Sequence, residues 1–190
     1  MPTLMTHPTV VAQWHALVTE AESAAACPLP EQLESYLVFL LMRFSNRPEI
    51  ADKVLALEYL HAVLAEGQLQ KNNLRDVGDQ CLLYSGLFPQ QAERRRVRVS
   101  YFVDIGRTAY QQLSGQLANS YAGLYANLSQ GFVDLMDVLH AIRRLGSTFA
   151  CLEPLPAYEL WADTGSRQAY LALREKTQGE PIVARAGAVH

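Results

Sequence analysis

Apolar residues recur at intervals of three and four along most of this chain, and this spacing most limits what it can fold into. Such a period places apolar side chains along one face of an α-helix. The best candidate strand, residues 97–103, alternates briefly and then continues as a helical pattern. The sequence therefore predicts an all-α fold. The main apolar series are Val10, Val11, Trp14, Leu17, Val18 and Ala21; Leu117, Tyr121, Leu124 and Leu128; and Phe132, Leu135, Met136, Leu139 and Ile142.

Prolines and glycines separate these series and indicate where helices end. The breaks predict about seven helices joined by short connections, as in a helical bundle. A chain of 190 residues can bury one sizeable core. We expect a single helical domain over residues 1–176. Residues 177–190 have little apolar periodicity, which predicts a loose C-terminal tail.

Composition narrows the class of protein. A hydrophobic fraction of 49% with 18% charged residues is typical of a folded globular chain. The net charge of -3 gives no electrostatic reason to expect nucleic acid as a partner. The longest apolar run, residues 36–42, is far shorter than the roughly 20 residues that span a bilayer. With no basic secretion signal at the start, these features predict a cytoplasmic protein without membrane contact.

The three cysteines, Cys27, Cys81 and Cys151, are widely spaced and odd in number. No Cys-x-x-Cys motif is present, which argues against a zinc knuckle or a disulfide scaffold. We expect buried thiols in a reducing compartment.

Gly78 and Gly106 lie inside predicted helices, where each glycine costs about 1 kcal/mol relative to alanine. A residue without a side chain lets a ring or another backbone approach closely. The two glycines therefore predict close packing between their helices, and the alternative is a ligand held against the glycine backbone.

Polar and aromatic residues near these glycines form the candidate ligand-binding set. A buried tyrosine hydroxyl commonly bonds a carboxylate, so we expect aspartate–tyrosine hydrogen bonds here. Arg75 lies one helical turn before Asp79, which predicts an ion pair between them. The candidates are Asp79, Tyr101, Asp104, Arg107 and Tyr110.

The same segment resembles a group of uncharacterised bacterial helical proteins. The resemblance is carried by Gly78-Asp79, by Gly86-Leu87-Phe88-Pro89, and by the spacing of Tyr101, Gly106 and Tyr110. It covers about a quarter of the chain or less and implies a shared structural or ligand-facing unit. It implies no activity.

Two carboxylate–histidine pairs suggest a metal site. Glu58-x-x-His61 and Asp137-x-x-His140 each place both side chains on one helical face, as in ferritin-like di-metal carboxylate enzymes. The shorter aspartate and the lack of two further obvious carboxylates count against this hypothesis. His61 also lies on an apolar stripe, which predicts a core histidine.

Arg94, Arg95, Arg96 and Arg98 form a basic cluster that suits phosphate, nucleic acid or an acidic partner protein. Glu93 is adjacent and no aromatic residue interrupts the cluster, so we favour a solvated turn.

The sequence holds no nucleophile elbow, no P-loop and no dinucleotide motif. We therefore assign no catalytic residue and no cofactor. The favoured function is a binding or interaction protein for a small molecule or a protein partner, and self-association as a homodimer is compatible with an exposed apolar stripe. The alternatives are a helical di-metal enzyme and an arginine-mediated adaptor for nucleic acid or an acidic partner.

Overall fold

The computed structural model describes residues 9–45, 55–146 and 152–177. Within these ranges the chain forms ten α-helices and no strand, so the all-α prediction is confirmed. The helices are α1 Val10–Ala25, α2 Glu31–Ser45, α3 Leu55–Leu64, α4 Gly67–Leu87, α5 Gln90–Arg94, α6 Val99–Gln116, α7 Asn119–Gln130, α8 Phe132–Gly146, α9 Pro154–Thr164 and α10 Arg167–Thr177.

Helix α4 is the central element of the bundle, and it packs against α3, α6 and α8. Its second half is buried on all sides, including polar positions such as Asp79, Gln80 and Ser85. A helix that is buried all round lies within the core and does not cover its surface. Side chains from α2, α6 and α8 complete this core, with Leu37, Tyr110 and Phe132 among the largest that are fully buried.

The two glycines bring α4 and α6 together. A Cβ atom added at Gly78 would lie 2.4 Å from Cε1 of Tyr110, and one added at Gly106 would lie 2.5 Å from Cε2 of Phe132. Both distances are far below van der Waals contact. The predicted close packing at the two glycines is therefore confirmed, and in each case the nearest group is an aromatic ring.

The sequence pattern predicts one last helix over residues 158–175, weakened by Gly165, but this part of the chain forms two helices. The chain turns at Gly165, whose φ of 76° lies in the left-handed region that suits glycine, and it begins again as α10. The carboxylate of Asp137 on α8 caps the N-terminus of this last helix. It accepts hydrogen bonds from Ser166 Oγ at 2.5 Å and from the backbone N–H of Arg167 at 2.9 Å.

Two further differences concern the helix number and the ends of the chain. Residues predicted as a turn form the short helix α5, which with the split at Gly165 raises the count above the predicted seven. Of the predicted tail over residues 177–190, Thr177 is the last residue of α10 and residues 178–190 lie outside the described residues, as does Cys151. None of the helices in the described ranges has the length and apolar character needed to cross a membrane.

Candidate functional site

Asp79 is an acidic residue of the core, with only 3% of its surface exposed. Its Oδ1 atom accepts hydrogen bonds from the hydroxyls of Tyr36 at 2.6 Å and Tyr110 at 2.7 Å. Its Oδ2 atom forms an ion pair with the guanidinium of Arg43. Three helices, α2, α4 and α6, are thus joined at a single carboxylate.

Local sequence explains how these groups meet. Tyr36 and Arg43 are seven residues apart on α2, which places them on one face, two turns from each other. The ring of Tyr110 fits against α4 because Gly78 has no side chain. Since Asp79 directly follows that glycine, the hydroxyl at the end of the ring reaches its carboxylate.

Burial determines the protonation of this cluster. Burial raises the pKa of the Asp79 carboxyl above its ordinary value, while the charge of Arg43 and the two tyrosine hydrogen bonds oppose that rise. Burial and the Asp79 charge both raise the pKa of Tyr36 and of Tyr110 well above the ordinary value. Both phenols therefore stay protonated at neutral pH and donate, so the cluster is a structural anchor.

The tyrosine rings also pack against each other. Tyr36 meets Tyr110 and Tyr125 edge to face, with ring centroids 6.3 Å and 6.1 Å apart. Tyr110 and Tyr125 are 5.9 Å apart. Such edge-to-face pairs stabilise one ring orientation, and together with the bond to Asp79 they fix the position of Tyr36.

The Tyr36 ring forms part of an open groove between α2 and α7. The groove has a volume of about 600 Å³, which lies within the range of ligand-binding pockets. Phe39 and Tyr121 are 61% and 67% exposed on its walls. The lining residues are Glu31, Gln32, Ser35, Tyr36, Phe39, Ser120, Tyr121 and Leu124.

The structure divides the five residues predicted to bind a ligand. It joins Asp79 to Tyr110, and the expected aspartate–tyrosine hydrogen bond is present. Tyr101, Asp104 and Arg107 lie on the opposite, exposed face of α6. Arg107 Nε donates to the backbone carbonyl of Ser129 at 3.2 Å. Whether any of the five residues binds a ligand stays a prediction.

Sequence reasoning missed Tyr36, Phe39 and Arg43, which all belong to α2. The only available signal was a tyrosine and an arginine seven residues apart, at the two ends of the apolar run 37–42. The predicted ion pair between Arg75 and Asp79 is wrong, because each residue has a different partner. Arg75 pairs with its neighbour Asp76 at 3.1 Å, and Arg43 takes the place next to Asp79.

The residues of the metal hypothesis have other partners or other surroundings. Asp137 caps α10, and His140 Nε2 bonds the carbonyl of Ser85 at 2.9 Å. Burial lowers the pKa of His140 from 6.5 to about 4, so the ring is neutral at pH 7. His61 is exposed, so its prediction as a core histidine is wrong. The Glu58 side chain lies outside the described residues, and those described contain no group of three or more acidic, histidine or cysteine side chains suited to a metal.

The arginine cluster has a partly structural role. Arg98 forms ion pairs with Glu159 at 3.4 Å and Asp163 at 3.5 Å, which tie the start of α6 to α9. The guanidinium of Arg95 lies 5.3 Å from the centre of the Tyr84 ring. Arg94 and Arg96 are exposed.

The site as a whole is suited to binding. Asp79 accepts from three donors, and burial raises the pKa of the nearby Cys81 thiol, which keeps it protonated and unreactive. What faces solvent is an aromatic groove with a fixed floor.

The chain matches no protein family, and no curated protein or solved structure is detectably similar to it.

Proposed function

We propose that this protein is an interaction protein whose groove between α2 and α7 binds an apolar, positively charged segment of a protein partner. The observation that carries the proposal is the pair of exposed rings, Phe39 and Tyr121, above a tyrosine that a buried aspartate holds in place. Aromatic side chains with accessible faces are the residues that most often anchor protein interfaces.

Preorganisation supports a binding role. A groove whose floor is already ordered loses little conformational entropy when a partner binds. The hydroxyl of Tyr36 is fixed by Asp79, and its ring is held between Tyr110 and Tyr125. The floor therefore has the rigidity that recognition of apolar side chains requires.

The charge of the groove supports a basic partner. Glu31 is the only ionisable acidic or basic side chain among the lining residues described. A lysine or arginine beside the apolar residues of the partner would complement it and could also contact the faces of the rings. An acidic segment would instead meet repulsion.

Two further proposals concern the cellular location of the protein and its self-association. We place the protein in a bacterial cytoplasm. The resemblance to bacterial proteins supports the first part, and the unpaired thiols of Cys27 and Cys81 support a reducing compartment. A homodimer formed through Phe39 and Tyr121 is the competing occupant of the groove, and the experiment below separates the two.

The experiment selects random peptides displayed on phage against the wild-type protein, with counter-selection against a Phe39→Ala/Tyr121→Ala variant. We expect enriched peptides that combine aromatic or aliphatic residues with lysine or arginine. Their affinity, measured by fluorescence polarisation, should fall at least about tenfold in the variant, since two anchor residues are lost. Leu155→Ala is the matched control, because Leu155 is as exposed as Tyr121, at 67%, but lies on α9.

Three outcomes would overturn the proposal. The first is a selection that enriches no peptide, and the second is a set of peptides that bind the double variant as well as they bind the wild type. The third is a dimer in light scattering that dissociates on Phe39→Ala, because the groove would then be occupied by a second copy of this chain.

A further inference from the structure

A second groove lies between α9 and α10, away from the Asp79 cluster. The two helices form a hairpin that turns at Gly165. The rings of Trp161 on α9 and Tyr170 on α10 are tilted by 47° with their centroids 5.5 Å apart. Both rings are partly exposed, so one face of the hairpin presents a wide aromatic surface.

Helix α10 adds positive charge to this surface. Arg167, Tyr170, Leu171 and Arg174 have the spacing of one helical face, in which positions 0, 3, 4 and 7 are neighbours. Together with Trp161 and Gly165 they line a groove of about 410 Å³. No carboxylate is among the lining residues described, so the groove carries two guanidinium groups and no compensating charge.

Each of the two guanidinium groups is held in position by a contact with the described part of the chain. Arg167 Nη1 donates to the backbone carbonyl of Ala26 at 3.1 Å, which holds the side chain in place. Arg174 lies 5.9 Å from the centre of the Tyr170 ring. An arginine has five N–H donors in a planar fork that matches a phosphate or a carboxylate. Within the described part of the chain the Arg167 side chain donates only to Ala26, which leaves most of these donors available there.

We propose that this groove binds a small ligand in which a planar ring is joined to an anionic group, either a phosphate or a carboxylate. The ring stacks on Tyr170 and Trp161, and the anion bonds Arg167 and Arg174. The volume of the groove between α9 and α10 lies within the range of small-molecule sites. The chemistry is the reverse of the groove between α2 and α7, where the ionisable side chain is acidic, so this proposal stands independently of the first.

Trp161 provides a direct measurement. The chain has two tryptophans, so a Trp14→Phe background leaves Trp161 as the only indole that emits. Four probes are titrated: AMP, which has a ring and a phosphate; benzoate, which has a ring and a carboxylate; adenosine, which has the ring alone; and inorganic phosphate. Isothermal calorimetry repeats each titration on the wild-type protein.

We expect AMP or benzoate to bind at least about tenfold more tightly than adenosine or inorganic phosphate, since only the first two use both halves of the site. Binding by AMP alone identifies a phosphate source, and binding by benzoate alone identifies a carboxylate source. Arg174→Gln should weaken binding at least about tenfold, whereas Arg94→Gln, which removes an exposed arginine elsewhere, should leave it unchanged. Tyr170→Leu should weaken the ring-containing probes only.

Absence of binding by all four probes overturns the proposal. So does inorganic phosphate that binds as tightly as AMP, because the rings would then contribute nothing. Tighter binding of a thymine oligonucleotide than of AMP, lost in Arg174→Gln, would assign the groove to single-stranded nucleic acid and would also overturn it. Among the described residues Arg174 donates no hydrogen bond to a backbone carbonyl, so its variant tests binding without removing a bond such as that from Arg167 to Ala26.

Discussion

Replacing Gly78 with alanine tests the packing on which the Asp79 cluster depends. The added Cβ would lie 2.4 Å from Cε1, 2.6 Å from Cδ1 and 2.9 Å from Cζ of Tyr110. A ring can sometimes rotate away from such a contact. Here its hydroxyl is bonded to Asp79, and the ring packs against the tilted ring of Phe132 at a centroid distance of 6.0 Å. The ring is also fully buried, so it has no solvent to move into.

Two opposing effects set the magnitude. Alanine is favoured over glycine inside a helix by about 1 kcal/mol, and overpacking a core usually costs about 1–3 kcal/mol. Because the Tyr110 ring is held on several sides, we expect a cost at the upper end of that range. The Gly78→Ala variant should then lose about 1–2 kcal/mol in free energy of unfolding.

Gly123 is the matched control, because it lies inside α7 and an added Cβ would meet no atom within 4 Å. Gly123→Ala should therefore gain up to about 1 kcal/mol from helix propensity alone. Urea unfolding followed by far-UV circular dichroism measures both variants at a constant m-value. If Gly78→Ala proves as stable as the wild type or more stable, the inference that the ring is pinned is incorrect.

Three further substitutions probe other parts of the core by the same unfolding measurement. Gly86→Ala should lose about 1–2 kcal/mol after the gain in helix propensity, because its Cβ would lie 2.4 Å from the Cβ of Leu139, and that atom moves only if α8 moves. Asp137→Ala should lose about 2 kcal/mol by removing the cap of α10, and an equal loss in the exposed control Asp134→Ala would contradict this. His140 has a pKa of about 4 when folded and 6.5 ordinarily, so the unfolded chain binds its proton more tightly and stability is lost as the pH falls from 6.5 towards 4. The loss has a slope of up to about 1.4 kcal/mol per pH unit. His140→Gln should remove that slope, and parallel pH profiles for the two proteins would refute the assignment.

Local sequence patterns were sufficient for the helices but not for their number. A three- to four-residue period needs only neighbouring residues, so it predicts most of the longer helices. The division into α9 and α10 depends instead on Asp137, which lies 30 residues before Arg167 in the sequence. A glycine inside an apparent helix is compatible with either outcome. The left-handed Gly165 ends α9, and the carboxylate from α8 caps the start of α10.

The Asp79 cluster could be predicted in part. Gly78 and Gly106 are visible as local anomalies, and they correctly indicate that α4 and α6 approach closely and that Tyr110 meets Asp79. The contribution of α2 depends on how that helix is rotated about its axis, which no pattern within the helix fixes. For the same reason Asp104 could not be separated from Asp79 by sequence, although α6 directs it to solvent.

The groove between α2 and α7 depends on Asp79, which does not line it. Two substitutions that each remove one hydroxyl separate the stability of the core from binding at the groove. Tyr36 and Tyr110 both donate to the same Oδ1 atom of Asp79, at 2.6 Å and 2.7 Å. Tyr36→Phe and Tyr110→Phe each remove one hydrogen bond to a charged group, so each should cost about 1.5–3 kcal/mol of stability. Only Tyr36 lies on α2, where its bond fixes the helix that carries Phe39. Tyr36→Phe should therefore weaken the groove-binding peptides, whereas Tyr110→Phe should bind them normally at a temperature where both variants are folded. An equal loss of affinity in the two variants would mean that Asp79 supports the groove only through the general stability of the core.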